Sequence, residues 1–499
     1  MLQRHALATV ALASLLGIFA QLLFFRQPLG LNALIVTVLF LGAAWTRRDP
    51  AAPLRPRDAW WPAGAIAFAA FCAVRTDASL VAFDALATIA VLSATVAAWS
   101  GVPVSALPAA GLVAEAWSLA GRAFLGAADL LVPAWLRVRL APRRFASVSG
   151  YVGGVGLATP FVIVFALLFS SADAVFARSL ENVFDLKRIA ELLSETPGRL
   201  FIALAVAWPA AGGMTALWRV PRDYVAPRTR SVLAGETATV TMILIAALFA
   251  IFVALQLAYL FGGRDTLDAA AITYSAYARR GFFELIAAVA LVGALLFGLE
   301  LLVIRRGRTY HAAAFVLLAL TAVVLASAAF RLDLYQRAYG WSELRFYAFA
   351  AIAFLSGALA IFAWGVARGR MAFVVMPFAA AAVTVALAVN AIGPSGYIAR
   401  ANLDRITGPS GLPDDAQREL DIWTLWSLGD GAVPDMIARL DGLPAEERTR
   451  VVDLLRASLR WRNVDGEVDW RGANVDRERA RRALVTWRDG LRDGRPGPR

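Results

Sequence analysis

The chain has 499 residues, of which 59% are hydrophobic and only 17% are charged, and its formal net charge is +12. Soluble proteins have about 45–50% apolar residues by a similar count, so this composition indicates a membrane protein. One cysteine and two histidines cannot build a disulfide framework or a His/Cys metal centre, and we predict no metal site and no cofactor. The positive charge is nearly all arginine and no aromatic–basic motif accompanies it, so nucleic acid is not predicted as a partner.

Apolar runs of about 20 residues recur along most of the chain, and a helix of that length crosses a hydrocarbon core of about 30 Å. No small-residue cleavage site follows the first run, so we interpret it as a retained helix and not a signal peptide. We therefore predict an all-α fold, a polytopic transmembrane helix bundle with a small C-terminal helical domain. The predicted spans, about eleven, are 6–25, 29–46, 60–76, 80–99, 147–170, 200–218, 238–261, 282–304, 310–330, 345–367 and 371–391.

The distribution of arginine predicts the orientation of these spans. Loops that share the side of the N-terminus hold more arginine than the loops of the other side, which favours a cytoplasmic N-terminus. An odd number of spans then places the C-terminal domain outside the cytoplasm. We predict a multi-pass protein of the bacterial cytoplasmic (inner) membrane, embedded in the lipid bilayer.

The stretch of about 104–136 predicts an amphipathic helix and not a plain linker. Apolar residues such as Val113, Trp117 and Phe124 recur at three- and four-residue steps, while Glu115 and Arg122 share another face. An arginine-rich run follows the helix. Two interpretations are open: a helix that lies in the cytoplasmic membrane interface with its arginines on anionic headgroups, and an ordinary helix packed against the bundle.

The chain changes character after residue 391, where charged residues become dense and no further spanning run appears. We predict a transmembrane domain of residues 1–391 and a soluble α-helical domain of residues 392–499, called the tail below. Its predicted helices lie at about 395–407, 414–428, 430–440, 445–462 and 473–491. Asp430 and Asn474 are candidate helix caps, and Pro444 opens a helix. Such a tail suits binding of a protein partner.

Two acidic residues lie in or at the end of predicted spans, where a charge is costly and therefore a candidate for function. Asp84 lies within the fourth span and Asp173 at the end of the fifth. For Asp84 two interpretations are open: a carboxyl group hydrogen-bonded inside the bundle, and a relay for protons or ions.

Two segments on the outer face combine tyrosine, arginine and glutamate. Arg280 and Glu284 are four residues apart and would share a helix face, and Ser342 can cap the helix that follows Gly340. Such residues at membrane edges either anchor helix ends or bind an anionic ligand, a lipid headgroup or a partner. The members of this tyrosine–arginine cluster are Tyr277, Arg279, Arg280, Glu284, Arg331, Tyr335, Tyr339, Glu343 and Arg345.

The same segments resemble a bacterial family of polytopic membrane proteins, domain of unknown function 4173. The resemblance is carried by the motif YARRGFFEL at 277–285, by Tyr335 with Tyr339-Gly340, and by NLDR at 402–405. The sequences at 260–263 and 469–474 match more weakly. The resemblance implies the membrane topology and no particular activity.

Three functions fit the sequence. The first is transport or handling of a lipid or anionic ligand through an outward-facing polar site, with Arg280, Glu284, Arg331 and Glu343 converging on a cavity. The second is a sensor or scaffold of the cell envelope whose tail binds a protein. The third is an intramembrane enzyme acting on lipid-linked substrates through two carboxylates. Phosphate-loop, HExxH and GxSxG motifs are absent from the sequence, so we predict no catalytic residue and favour the non-enzymatic functions.

Overall fold

The computed structural model describes residues 2–131, 195–219, 233–261, 282–369, 374–407, 419–462, 464, 466 and 469–492. The regular secondary structure of these ranges is helical, apart from one isolated bridge between Leu233 and Val303, so the predicted all-α class is confirmed. The helices are α1 Leu2–Phe24, α2 Leu31–Arg47, α3 Trp61–Cys72, α4 Ala78–Trp99, α5 Ala109–Leu131, α6 Glu195–Arg219, α7 Gly235–Phe261, α8 Phe282–Leu302, α9 Arg308–Tyr339, α10 Glu343–Arg368, α11 Val375–Ile392, α12 Pro394–Thr407, α13 Ile422–Ser427, α14 Val433–Arg439, α15 Ala445–Trp461 and α16 Val475–Arg492.

Seven of the described helices are long and apolar enough to cross a membrane: α1, α4, α6, α7, α9, α10 and α11. Two predicted spans differ in length from the helices found. α3 has 12 residues where 60–76 was expected, so it extends only about 18 Å. α9 has 32 residues and continues past the predicted end at 330 to Tyr339, so it projects beyond a hydrocarbon core of about 30 Å. The predicted span at 147–170 lies outside the described residues.

Two buried clusters hold the long helices together. One contains buried side chains from each of the helices α1 through α6, such as Ala65 and Met214. The other contains buried side chains from each of the helices α7 through α10, such as Met242 and Leu317. Large apolar residues such as Leu291 point outward and are exposed, as expected of helices surrounded by lipid.

The amphipathic helix α5 packs against α6, which favours the second of its two interpretations. The backbones approach closely at Gly212, and the indole of Trp208 donates a hydrogen bond of 2.9 Å to the carbonyl of Phe124. The charged face points into the bundle, because Glu115 is buried and forms an ion pair with Arg122. The apolar face that carries Phe124 is exposed.

The tail packs directly on the ends of the long helices. Its apolar core is continuous with Leu80 of α4, Phe346 of α10 and Val389 of α11. The turns between α1 and α2, between α3 and α4, and between α9 and α10 all contact the tail, so they lie on one side of the bundle, called the tail side below. The turns at 48–60 and 303–307 lie at the opposite ends of these helices.

Asn474 attaches the tail to the turn after α3. Its side-chain oxygen accepts hydrogen bonds from the amides of Asp476 and Arg477, which confirms the predicted cap. Its side-chain nitrogen donates to the carbonyls of Cys72 and Arg75 at 3.0 and 2.7 Å. The other predicted cap is wrong: Asp430 lies inside a 3-10 turn, where it pairs with the arginine at position 462.

Candidate functional site

The centre of the candidate site is the tight turn between α9 and α10. Gly340 ends α9 with φ +77°, a conformation that favours glycine. Asn402 of α12 forms two hydrogen bonds with Trp341, the residue after Gly340. Its side-chain oxygen accepts from the Trp341 amide at 2.7 Å, and its side-chain nitrogen donates to the Trp341 carbonyl at 2.9 Å. A Cβ atom at Gly340 would lie 2.7 Å from the Asn402 oxygen. The tail therefore fixes this turn through two hydrogen bonds, and only glycine fits at position 340.

Arg345 lies on the first turn of α10, where Ser342 caps the helix as predicted. Its guanidinium group stacks over the ring of Tyr335, with 4.1 Å between the guanidinium carbon and the ring centroid. One terminal nitrogen donates to the carbonyls of Tyr339 and Gly340 at 3.2 and 2.5 Å. Tyr335, Tyr339 and Arg345 of the tyrosine–arginine cluster therefore contact one another, while their role in ligand binding stays a prediction.

Arg405 of α12 reaches the same turn from the tail. Its terminal nitrogen donates to the carbonyl of Ala338 at 2.6 Å. Burial, and then the positive charge of Arg345, lower the pKa of Arg405. The Nε–H groups of Arg345 and Arg405 are both buried and have no acceptor among the described residues. Two neighbouring cations thus keep hydrogen-bond donors for which no described residue is an acceptor.

A cavity of about 80 Å³ opens between these two arginines, and it is called the arginine pocket below. Two carboxylates share its lining, and one of them, Asp421, is close enough to Arg345 for their charges to interact. Glu419 is exposed, and Asp421 caps α13 by accepting hydrogen bonds from the amide and hydroxyl of Thr424. The lining residues are Tyr339, Trp341, Ser342, Arg345, Asn402, Arg405, Ile406, Glu419, Leu420, Asp421 and Thr424.

Other members of the predicted tyrosine–arginine cluster lie elsewhere. Glu284 is exposed at the start of α8, and Arg331 is half-buried on α9; neither lines the arginine pocket. Glu343 interacts electrostatically with Asp77 instead. The predicted convergence of Arg280, Glu284, Arg331 and Glu343 on one cavity stays a prediction, because Arg280 lies outside the described residues. Tyr277, Arg279 and Arg280, and the predicted intramembrane acid Asp173, lie outside the described residues.

The other predicted intramembrane acid, Asp84, lies on α4 with none of its surface exposed. Its Oδ1 accepts a hydrogen bond of 3.0 Å from the side-chain nitrogen of Asn390 on α11. Asp84 is therefore a hydrogen-bonded acid inside the bundle, as the first of its two interpretations expects. This hydrogen bond does not test the second interpretation, in which Asp84 relays protons or ions.

A chain of polar groups leads from this acid to the tail. Arg75 donates from Nε to the Asn390 carbonyl at 2.8 Å and approaches Asp476 of α16 at 3.5 Å. Asp77, at the start of α4, accepts a hydrogen bond from Ser395 of α12. Burial raises the pKa of both Asp77 and Asp476, although Arg75 opposes the rise in each.

A second cavity is an open groove of about 1250 Å³ between the tail and the turns after α1 and α3. Trp426, Trp461 and Trp470 line it and are exposed. The groove also holds several arginines that are paired with tail carboxylates, such as Arg481 with Glu478. We call it the tryptophan groove.

The sequence did not identify Asn402, Arg405, Asn390 or Arg75 as parts of a site. A single amide inside an apolar helix, such as Asn390, is a usable signal because an unsatisfied amide is costly there. The NLDR motif was noted only through the family resemblance. No group of three or more His, Cys, Asp or Glu side chains in the described ranges has the geometry to hold a metal ion.

A family model described as Domain of unknown function (DUF4153) matches residues 63–438 of the chain. The matched region contains the whole arginine pocket and both Asp84 and Asn390. The narrower resemblance to domain of unknown function 4173 is not confirmed by this match. No curated protein and no solved structure matches the chain.

Proposed function

Since the chain belongs to the DUF4153 family, whose description assigns no activity, we propose its function from the site itself: recognition of an anionic, phosphate-bearing group in the arginine pocket. The length and composition of its helices are those of a multi-pass membrane protein. The observation that carries the proposal is the pair of buried Nε–H donors of Arg345 and Arg405, neither of which has a partner among the described residues. An anion between them would satisfy both donors and offset the repulsion of two like charges.

The shape of the site supports an anion of limited size. A cavity of about 80 Å³ accommodates a single phosphate or carboxylate group and not a whole lipid or nucleotide. Arginine suits such a group because its planar guanidinium donates two parallel hydrogen bonds. The orientation of the chain places the pocket on the tail side, and we infer from the arginine distribution that this side is extracytoplasmic in a bacterial inner membrane.

The test measures binding of two phosphate sources to the full-length protein. Inorganic phosphate is titrated in nanodiscs of zwitterionic lipid, and retention of an anionic phospholipid is measured by native mass spectrometry. Arg405→Gln and Arg345→Gln should each weaken the preferred ligand by about tenfold or more, since one hydrogen bond to a charged group contributes ~1.5–3 kcal/mol. Binding of phosphate alone identifies a soluble ligand, and binding of the lipid alone identifies a headgroup.

Arg456→Gln is the matched control, because Arg456 is exposed on α15 and pairs with Asp453 three residues earlier. Arg405→Lys tests geometry, since it keeps the charge but removes the planar donor. If neither source binds, or if all variants bind as well as the Arg456→Gln control, the arginines only hold the turn and the proposal is overturned.

The sensor or scaffold function stays an alternative prediction, with the tail as the binding surface. The tryptophan groove is where we would expect a protein partner, because aromatic residues and arginine are enriched at interfaces. The enzyme function would require two carboxylates at one cavity, and Glu419 and Asp421 are the pair that the arginine pocket offers. Asp421 uses its oxygens to cap α13, so this pair does not favour catalysis.

A further inference from the structure

The buried pair of Asp84 and Asn390 lacks a hydrogen-bond donor. The Asn390 nitrogen donates to Asp84 Oδ1 and to the carbonyl of Ala386, at 3.0 and 3.1 Å. That leaves Asp84 Oδ2 and Asn390 Oδ1, which are both buried and have no partner among the described residues. Both are acceptors when Asp84 is ionised, so neither can satisfy the other. Two unsatisfied acceptors inside a membrane helix pair are costly.

The groups around this pair do not supply the missing donor. Arg75 is the nearest positive charge, but its guanidinium donates to the carbonyls of Asn390 and Ala391 and to Asp476. On α3 the neighbour is the thiol of Cys72, which contacts the Val81 carbonyl. On α10 the neighbouring residue is Tyr347, whose buried hydroxyl has no partner among the described residues. Asp77 lies nearby and adds negative charge.

We propose that Asp84 is a proton-binding site, a neutral carboxylic acid whose Oδ2–H is donated to Asn390 Oδ1. One proton converts two unsatisfied acceptors into a second hydrogen bond, and it removes a charge from the interior of the bundle. The inference does not rest on the arginine pocket.

The charged groups near Asp84 among the described residues lie toward the tail side. Asp84 is about 9 Å from the start of α4, which lies at the tail side. Between it and the tail lie the guanidinium group of Arg75 and the carboxyl groups of Asp77 and Asp476. Beyond Asp84 toward the other end, the polar groups of α4 are the hydroxyls of Thr88, Ser93 and Thr95, which bond to their own helix. The site therefore binds and releases its proton from the tail side.

The test is infrared difference spectroscopy of the full-length protein in lipid nanodiscs, titrated from about pH 5 to pH 9. The expected result is a carboxylic-acid C=O band at neutral pH that is lost in Asp84→Asn. The band should persist in the control Asp333→Asn, because Asp333 is partly exposed and pairs with Arg337. Absence of an Asp84-dependent band at neutral pH would overturn the proposal.

Thermal unfolding gives an independent readout. Asparagine mimics a neutral acid that can donate to Asn390, so Asp84→Asn should keep the wild-type melting temperature, while Asp84→Leu should lose several degrees. If Asp84 is instead an anion paired with Arg75, both substitutions lower the melting temperature. If Na⁺ occupies the site, Na⁺ raises the melting temperature of the wild type alone. Either of these two results contradicts a bound proton.

Discussion

Gly212 and Gly213 are adjacent on α6, but the structure predicts opposite responses to alanine. A Cβ atom at Gly212 would lie 2.0 Å from the carbonyl oxygen of Ala123 and 2.5 Å from its carbon. These are backbone atoms of α5, so no side-chain rotation relieves the clash. At Gly213 nothing lies within 4 Å of the added atom.

The expected magnitudes follow from these distances. Ordinary contact begins near 3.4 Å, so Gly212→Ala must push α5 and α6 apart by more than 1 Å. Overpacking of this kind costs about 1–3 kcal/mol. The separation also weakens the hydrogen bond from Trp208 to Phe124. Gly213→Ala should gain about 0.5–1 kcal/mol, because alanine has the better helix propensity and meets no neighbour.

The assay compares apparent melting temperatures of the two variants and the wild type in the same detergent. Gly212→Ala should melt lower and Gly213→Ala at or above the wild type. Equal effects of the two substitutions would refute the packing of α5 on α6. They would favour the other interpretation, in which α5 lies in the membrane interface away from the bundle.

Three further predictions concern the tail. Asn474→Ala should lower the free energy of unfolding by about 3 kcal/mol, because one helix cap and two hydrogen bonds are lost at ~1 kcal/mol each. Asn474→Ser keeps the cap and should lower it by about 2 kcal/mol. Both values are measured by urea unfolding. The raised pKa of Asp476, caused by burial, stabilises the fold at low pH, and that stability is lost as pH rises through the folded pKa. The wild type should therefore gain melting temperature relative to Asp476→Asn as the pH falls from about 7 toward about 4, and a constant difference would contradict this. Topology reporters after Arg306 and Trp426 should report opposite sides of the membrane, with Arg306 cytoplasmic; the same side for both would refute the direction of the helices.

The sequence predicts those parts of the fold that depend on local patterns. Runs of apolar residues located the long helices, and three- and four-residue spacing located the tail helices and their buried stripes, such as Val451 with Leu455. The end of α9 was missed because hydropathy falls after residue 330 while the helix continues. A helix that leaves the bilayer keeps its backbone hydrogen bonds and loses only its apolar character.

The sequence predicted only some residues of the candidate site, and helix geometry explains why Arg345 lines the arginine pocket and Glu343 does not. Glu343 and Arg345 are two residues apart, so they point about 200° apart around α10. Arg345 therefore lines the arginine pocket, while Glu343 does not and lies close enough to Asp77 for their charges to interact. The contacts of Asn402 with Trp341 and of Asn390 with Asp84 join residues that are 61 and 306 positions apart. No local pattern carries information about such pairs.

The contacts of the tail argue against a domain that is merely tethered to the membrane part. Asn402 and Asn474 satisfy backbone groups of two different turns, and the amide of Leu31 in a third turn donates to Ala473. Release of the tail would return these groups to solvent and expose the apolar core that Leu80 and Phe346 share with it. The cost of separation is therefore shared by hydrogen bonds and burial. A ligand in the arginine pocket contacts α10 and α12 at once, so its binding should stabilise the joint between the tail and the membrane helices.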